Sequence, residues 1–182
     1  MNKKIRWITE TAIMLALLVT LQAITKGLNN QIITGSCVNT VLAVTALVAG
    51  LSSGVTVALV SPVMAFLLGI APQPLTVPAI MVGNTVFVVL LHFLADKTGK
   101  NLVKQITAWL AAAVAKFAAL YIIVVKVICG VMAESLLAAG TLKQPMLKAL
   151  PATFSWPQLI TALIGGAVAL AIVPMIRKAL HR

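Results

Sequence analysis

Long apolar stretches separated by short polar segments dominate the chain. A helix that crosses the hydrocarbon core of a bilayer needs about 20 mostly apolar residues, and fewer when a bundle covers it. Six stretches meet this requirement and predict transmembrane helices at roughly 7–26, 37–50, 54–71, 77–95, 105–133 and 157–177. The second and third could also be read as one helical hairpin. The fifth is long enough to tilt or to project beyond the bilayer.

The composition agrees with this pattern. Apolar residues make up 61% of the 182 residues and charged residues only 9%, whereas a soluble domain has about 25% charged residues. A water-soluble fold of this size would need polar side chains over most of its surface. The sequence therefore predicts an all-α integral membrane protein, with one six-helix domain over residues 1–182, and excludes soluble globular folds and disordered tails.

Basic residues are distributed unevenly between the two predicted sides of the membrane. With both termini in the cytoplasm, nine of them fall in inner segments: Lys3, Lys4, Arg6, Lys97, Lys100, Lys104, Arg177, Lys178 and Arg182. The outer segments hold three, which are Lys26, Lys143 and Lys148. Lysine and arginine are enriched in cytoplasmic loops. The bias and the even number of spans therefore predict that both termini are cytoplasmic.

Few side chains are available for catalysis. The only carboxylates, Glu10, Asp96 and Glu134, are too scattered to hold Mg²⁺ as a cluster, and His92 and His181 lack metal-site spacing. Cys37 and Cys129 form no CxxC motif and are expected to be small apolar residues rather than a disulfide. The net charge of +11 is not gathered into a nucleic-acid surface. We expect no enzyme activity, no cofactor, no metal and no nucleic-acid partner.

Polar side chains inside a bilayer are costly and are by default candidates for a functional site. Gln22, Asn39, Asn84 and Lys126 share one depth band, roughly 5–12 Å below the outer surface at a rise of 1.5 Å per residue. A lone ammonium such as that of Lys126 favours a ligand carboxylate or phosphate, although the side chain could instead snorkel to the interface. We expect these residues to contact an acidic ligand.

Two further features lie near that band. Lys116 is ten residues deeper on the same helix and points about 80° away from Lys126, which favours a structural hydrogen bond to a carbonyl or to Asn84, with direct ligand contact as the alternative. Trp156 lies at the outer start of the sixth helix, and could anchor the helix at the interface or stack on a ligand.

The segment 28–39 is the most polar stretch between apolar runs and is predicted to be an outer loop. It carries Gln31, Thr34 and Gly35, and glycine can adopt positive φ. Such a loop can offer amides and hydroxyls to a ligand, and an ordinary solvated connection is the alternative.

The first helix carries small residues on one stripe. Ala12 and Ala16, followed by Val19 and Ala23, fall at helical spacing. Small residues let membrane helices approach closely, and this stripe predicts a partner-docking face.

These features together resemble the S-components of energy-coupling factor (ECF) transporters. The likeness rests on the six helices, on Ala12-xxx-Ala16, and on five stretches: Gln31-Ile-Ile-Thr-Gly-Ser-Cys-Val-Asn39, Ser61-Pro-Val-Met-Ala-Phe66, Met81-Val-Gly-Asn84, Ala115-Lys-Phe117 and Trp156-Pro-Gln-Leu-Ile-Thr-Ala-Leu-Ile-Gly-Gly166.

The resemblance implies a subunit that captures a vitamin or similar micronutrient at the outer face of a bacterial plasma membrane. It implies docking of Ala12 and Ala16 against a transmembrane T-component, which two ATPases drive. It also implies a ligand site under the loop after helix one and against helices four to six. Since Tyr121 is the only tyrosine, a flat stacking pocket of the kind some members have is not expected.

Two other kinds of protein fit the same pattern. A stand-alone secondary transporter or channel would need no ATPases, but proton coupling usually uses a buried carboxylate and none is predicted mid-membrane; nor is an internal repeat evident. An assembly or scaffold protein would bind no small molecule.

Overall fold

The computed structural model describes residues 2–70, 73–96 and 101–180. Helices account for nearly all of these residues, and the described parts of the chain contain no β-strand. Lys97, Lys100 and Arg182, which belong to the predicted inner segments, lie outside the described residues.

Eight helices follow one another along the described chain, and we number them in order. They are α1 (Lys3–Lys26), α2 (Gln31–Val44, continued by a π-helical turn Thr45–Ala49), α3 (Leu51–Leu67), α4 (Val77–Leu94, preceded by a 3₁₀ turn Pro74–Thr76), α5 (Leu102–Leu120, continued by a π-helical segment Tyr121–Val131), α6 (Ala133–Ala138), α7 (Gln144–Thr153) and α8 (Trp156–Ala179).

Five helical stretches are long and apolar enough to cross a membrane within the described residues: Lys3–Lys26, Gln31–Ala49, Pro74–Leu94, Leu102–Val131 and Gln144–Ala179. The shorter apolar helix Leu51–Leu67 corresponds to the third predicted span. The chain is therefore an all-helical membrane protein. The six predicted stretches overlap helices of the structure with bounds that differ by up to six residues, while the described chain has eight helices and five stretches that meet the length and hydropathy of a span.

The segment 28–39 differs most from its prediction. Only Gly27–Asn30 connects α1 to α2, and the rest is the first two turns of α2. Asn30 caps this helix, because its side chain accepts hydrogen bonds from the backbone amides of Ile32 and Ile33. The prediction missed the start of this helix because it searched for apolar runs, and the first two turns carry amide and hydroxyl side chains.

Two short helices follow the π-helical end of α5. α6 and α7 pack their apolar side chains against it in a cluster that includes Val124, Ile128, Leu142 and Leu150. The end of the predicted fifth helix at 105–133 is therefore covered by α6 and α7.

Close contacts between α8 and its neighbours depend on two glycines. A β-carbon on Gly165 would lie 2.7 Å from the backbone oxygen of Ser36 on α2. A β-carbon on Gly166 would overlap the indole of Trp109 on α5. The bundle is thus packed closely where small residues permit it, as expected when helices associate within lipid.

Both described ends of the chain lie at the same end of the bundle. Arg177 near the end of α8 donates a hydrogen bond to the carbonyl oxygen of Leu47, beside the tight turn at Gly50. The start of α1, from Lys3 to Glu10, borders the same turn. This end carries the basic residues of the chain termini, and we call it the basic end.

Candidate functional site

A cavity of about 410 Å³ opens at the end of the bundle opposite the basic end. Its wall is formed where α1, α3 and α7 end and where α2, α4 and α8 begin, with one residue from the middle of α5. The volume falls within the range of about 300–1,000 Å³ that is typical of small-molecule sites. Six residues predicted as ligand contacts line it: Gln22, Gln31, Thr34, Gly35, Asn39 and Asn84.

Lys116 forms the deep end of this cavity. Its side chain is 3% exposed, and its Nζ donates hydrogen bonds to Oδ1 of Asn39 over 2.5 Å and to Oδ1 of Asn84 over 2.7 Å. Both asparagines are 1% exposed. The hydrogen bond to Asn84 agrees with the role expected from the sequence, but Lys116 also faces the cavity.

Lys116 determines how the two amides are oriented. An ammonium group has three N–H donors and no acceptor, so each asparagine turns its oxygen toward Nζ and its NH₂ group away. The NH₂ group of Asn39 donates to Oγ1 of Thr161 over 3.2 Å. The NH₂ group of Asn84 has no acceptor among the described residues. This end of the cavity therefore presents N–H donors.

The part of the wall on α1 and α3 carries polar atoms that lack partners. Oε1 of Gln22 on α1 and Oγ of Ser61 on α3 are buried and make no hydrogen bond within the described part of the chain. Gln22 is 8% exposed and Ser61 is 1% exposed, and both line the cavity. Buried polar atoms without partners are rare in folded proteins, because each costs about 1–3 kcal/mol. A bound ligand would supply the missing partners.

The charge of the cavity is positive. Lys26 at the mouth and Lys116 at the deep end both line it, and no carboxylate does so among the described residues. Such a cavity favours an anion by its electrostatic potential.

Two amide side chains hold α7 against the mouth. Nε2 of Gln31 on α2 and Nε2 of Gln158 on α8 each donate to the carbonyl oxygen of Thr153 over 3.3 Å. The next residue, Phe154, supplies an aromatic ring to the lining. Both α2 and α8 are thus hydrogen-bonded to the same carbonyl oxygen at the end of α7.

Thr34 and Gly35 line the cavity from a helix rather than from a loop. A β-carbon on Gly35 would lie 2.8 Å from Cγ2 of Thr161. The prediction that Gly35 serves as a flexible loop glycine is therefore wrong. Its small size lets α2 approach α8.

Lys126 and Trp156 lie elsewhere. Lys126 is exposed on the π-helical part of α5, with its Nζ 5.7 Å from the centre of the Tyr121 ring. Trp156 is 67% exposed and stacks on Phe117 with ring centres 5.8 Å apart. Neither residue lines the cavity.

Several cavity residues were not chosen from the sequence: Lys26, Ser61, Thr153, Phe154 and Gln158. For Lys116 the sequence favoured a structural role over ligand contact. Lys116 carried a usable signal, since a cation near the middle of a membrane helix with no acid at its depth is a site candidate. Ser61 is one of four hydroxyl residues on α3, with Ser52, Ser53 and Thr56, and the sequence did not distinguish it from the others.

The stripe of small residues on α1 faces away from this cavity. Ala12, Ala16 and Ala23 are exposed, while Thr11, Leu18 and Gln22 on the other side of the helix are buried. The predicted docking stripe is therefore accessible in this chain.

Comparison with known proteins gives one match. A family described as "ECF transporter, substrate-specific component" matches residues 6–177. No curated protein and no solved structure matches the chain. Proteins of this family are membrane-embedded substrate-binding subunits rather than enzymes, and they associate with a T-component and ATPase subunits. Because the match spans nearly the whole length, this chain belongs to the family of substrate-specific components of ECF transporters.

Proposed function

We propose that the chain captures a vitamin or similar micronutrient at the outer face of a bacterial plasma membrane, for uptake driven by ATP. The observation that carries this proposal is the cavity at the end opposite the basic end. Its deep wall holds a buried lysine, and its other wall holds buried polar atoms without partners. Lysine and arginine at the other end favour a cytoplasmic location of that end, which would open the cavity outward.

The energy for uptake would come from the partner subunits. The T-component would contact α1 at Ala12 and Ala16, which are exposed. The two ATPases would then drive release of the substrate to the inside.

A stand-alone transporter has less support. Glu10 pairs with Arg6 over 2.9 Å at the basic end. Proton coupling usually needs a carboxylate at the substrate site or on a pathway across the membrane, and Glu10 does not line the cavity.

The proposal can be tested without knowing the substrate. Cells that express the chain with its T-component and ATPases would be grown in defined medium, and the spent medium would be compared by mass spectrometry. We expect one small molecule to be depleted only when the chain and active ATPases are both present. Depletion that persists with inactive ATPases would favour a stand-alone transporter. Absence of any depletion, with no small molecule bound to the purified protein, would favour a scaffold protein.

A further inference from the structure

Two parts of the cavity wall leave different hydrogen-bonding groups without partners. The wall formed by α4 and α5 offers one remaining N–H of Lys116 and the NH₂ group of Asn84, which are donors. The wall formed by α1 and α3 offers Oε1 of Gln22, which is an acceptor, and Oγ of Ser61. A ligand that satisfies both sets of groups must accept hydrogen bonds from Lys116 and Asn84 and donate one to Gln22, while the hydroxyl of Ser61 can donate or accept.

The charge fixes the nature of the accepting end. Within the described residues the partners of Lys116 are two neutral amide oxygens and the ring of Phe87, whose centre lies 5.5 Å from Nζ; none carries a negative charge, although a buried ammonium is costly without a negative counter-charge. The carboxylates of the chain lie off the cavity lining. A ligand carboxylate would provide the missing charge and accept from Nζ of Lys116 and Nδ2 of Asn84 at once.

The depth of the cavity limits the length of the ligand. Asn39, which contacts Lys116, lies eight residues along α2 from Gln31 at the mouth. At a rise of 1.5 Å per residue this is about 12 Å. A ligand that spans the cavity is therefore a small molecule.

We propose that the substrate is a small organic acid that also carries a hydroxyl or N–H group. The carboxylate binds at Lys116 and Asn84, and the hydroxyl or N–H group donates to Gln22 or Ser61. This assignment rests on the proposed function, since it names the chemistry of the solute that the cavity captures.

Four matched probes test the assignment on the purified full chain in detergent: 6-hydroxyhexanoate, hexanoate, 6-hydroxyhexanamide and 6-amino-1-hexanol. Binding would be measured by ultrafiltration and mass spectrometry.

We expect 6-hydroxyhexanoate to bind best of the four probes. Loss of the charge in the amide should weaken binding about 10- to 100-fold, the range for charged hydrogen bonds. Hexanoate should bind less tightly than the hydroxy acid, and the amino alcohol should bind least. Equal or tighter binding of the amide or the amino alcohol, or no binding of any probe, would overturn the assignment.

Two substitutions locate the carboxylate. Lys116→Met removes the ammonium. Asn84→Asp keeps the ammonium but places a protein carboxylate beside it, which competes with the ligand carboxylate. Both should lower affinity for 6-hydroxyhexanoate about 10-fold or more. Lys126→Met is the matched control, because it makes the same change on the same helix at a residue that does not line the cavity. Retained affinity in Asn84→Asp with an unchanged melting temperature would contradict the assignment even if Lys116→Met failed to fold.

Two further substitutions test the residues on α1 and α3. Ser61→Ala and Gln22→Met should reduce the preference for the hydroxy acid over hexanoate. Ser36→Ala is the control, because Ser36 also has a buried hydroxyl without a partner but does not line the cavity. An unchanged preference in both Ser61→Ala and Gln22→Met would refute the role of this wall.

The outcomes separate this inference from the proposed function. ATPase-dependent depletion of a neutral or cationic solute would leave the proposed function intact and overturn only the acid assignment. Acid-selective binding without ATPase-dependent uptake would support the acid assignment and overturn the proposed function.

Discussion

Nζ of Lys116 on α5 lies 2.7 Å from Oδ1 of Asn84 on α4, and both side chains are almost fully buried. The hydrogen bond joins two neighbouring helices at the deep end of the cavity. An ammonium away from water needs such partners, since desolvation otherwise costs several kcal/mol. The same contact thus stabilises the bundle and orients the donors that face a ligand.

Removing either partner should destabilise the protein, and the two effects should not add. Asn84→Leu leaves the ammonium short of an acceptor, at a cost of about 1–3 kcal/mol. Lys116→Met in the same chain removes the group that needed the acceptor, so the double variant should be less unstable than the sum of the single variants. Unfolding in detergent would measure this cycle. Additivity within about 0.5 kcal/mol would mean that the contact contributes little.

Gly165 should tolerate no larger residue. Its missing β-carbon would lie 2.5 Å from Cβ of Asn39 and 2.7 Å from the backbone oxygen of Ser36. Because backbone must move to relieve this overlap, Gly165→Ala should destabilise the protein by about 1–3 kcal/mol. Gly27→Ala is the control, since its β-carbon would meet nothing within 4 Å. Thermal unfolding in detergent checks the pair, and equal melting temperatures would contradict the close packing of α2 on α8.

Gln31 should slow the escape of a bound solute. Its Nε2 donates to the carbonyl oxygen of Thr153 across the mouth. Gln31→Met removes this bond, which is worth about 0.5–1.5 kcal/mol, and should raise the dissociation rate several-fold with little change in melting temperature. Gln144→Met provides the control, because Gln144 is exposed at the start of α7. Stopped-flow displacement would give the rates, and equal rates in the two variants would rule out a role at the mouth.

Ala12 and Ala16 should matter for uptake but not for capture. Ala12→Trp or Ala16→Trp would keep a T-component helix at a distance, while the cavity lies on the other side of α1. We expect ATPase-dependent uptake to be lost and binding by the purified chain to be unchanged. Ala111→Trp is a matched control, because Ala111 is an exposed alanine on α5. Loss of binding together with uptake, or normal uptake, would refute the docking role.

The sequence alone determined the class of the protein and the approximate positions of its apolar helices, because both follow from composition and from the lengths of the apolar runs. The predicted depth band was wrong in one respect: Lys116, placed ten residues deeper than Lys126, bonds to Asn39 and Asn84, which share the band, and Lys126 lies off the cavity. The bias of basic residues toward the predicted inner segments could also be taken directly from the sequence. Asn39 and Asn84 were found because a polar side chain in an apolar stretch stands out.

Only the tertiary structure decided which polar residues meet. Lys116 and Lys126 lie on one helix, yet the first faces the cavity and the second lies exposed beside Tyr121. In a soluble helix the apolar stripe reveals which face is buried. Here lipid and core are both apolar, so the sequence pattern carries little information about the direction of each face. The packing of α2, α4 and α8 around Lys116 decides which face of each helix points into the bundle, and so which polar residues form the site.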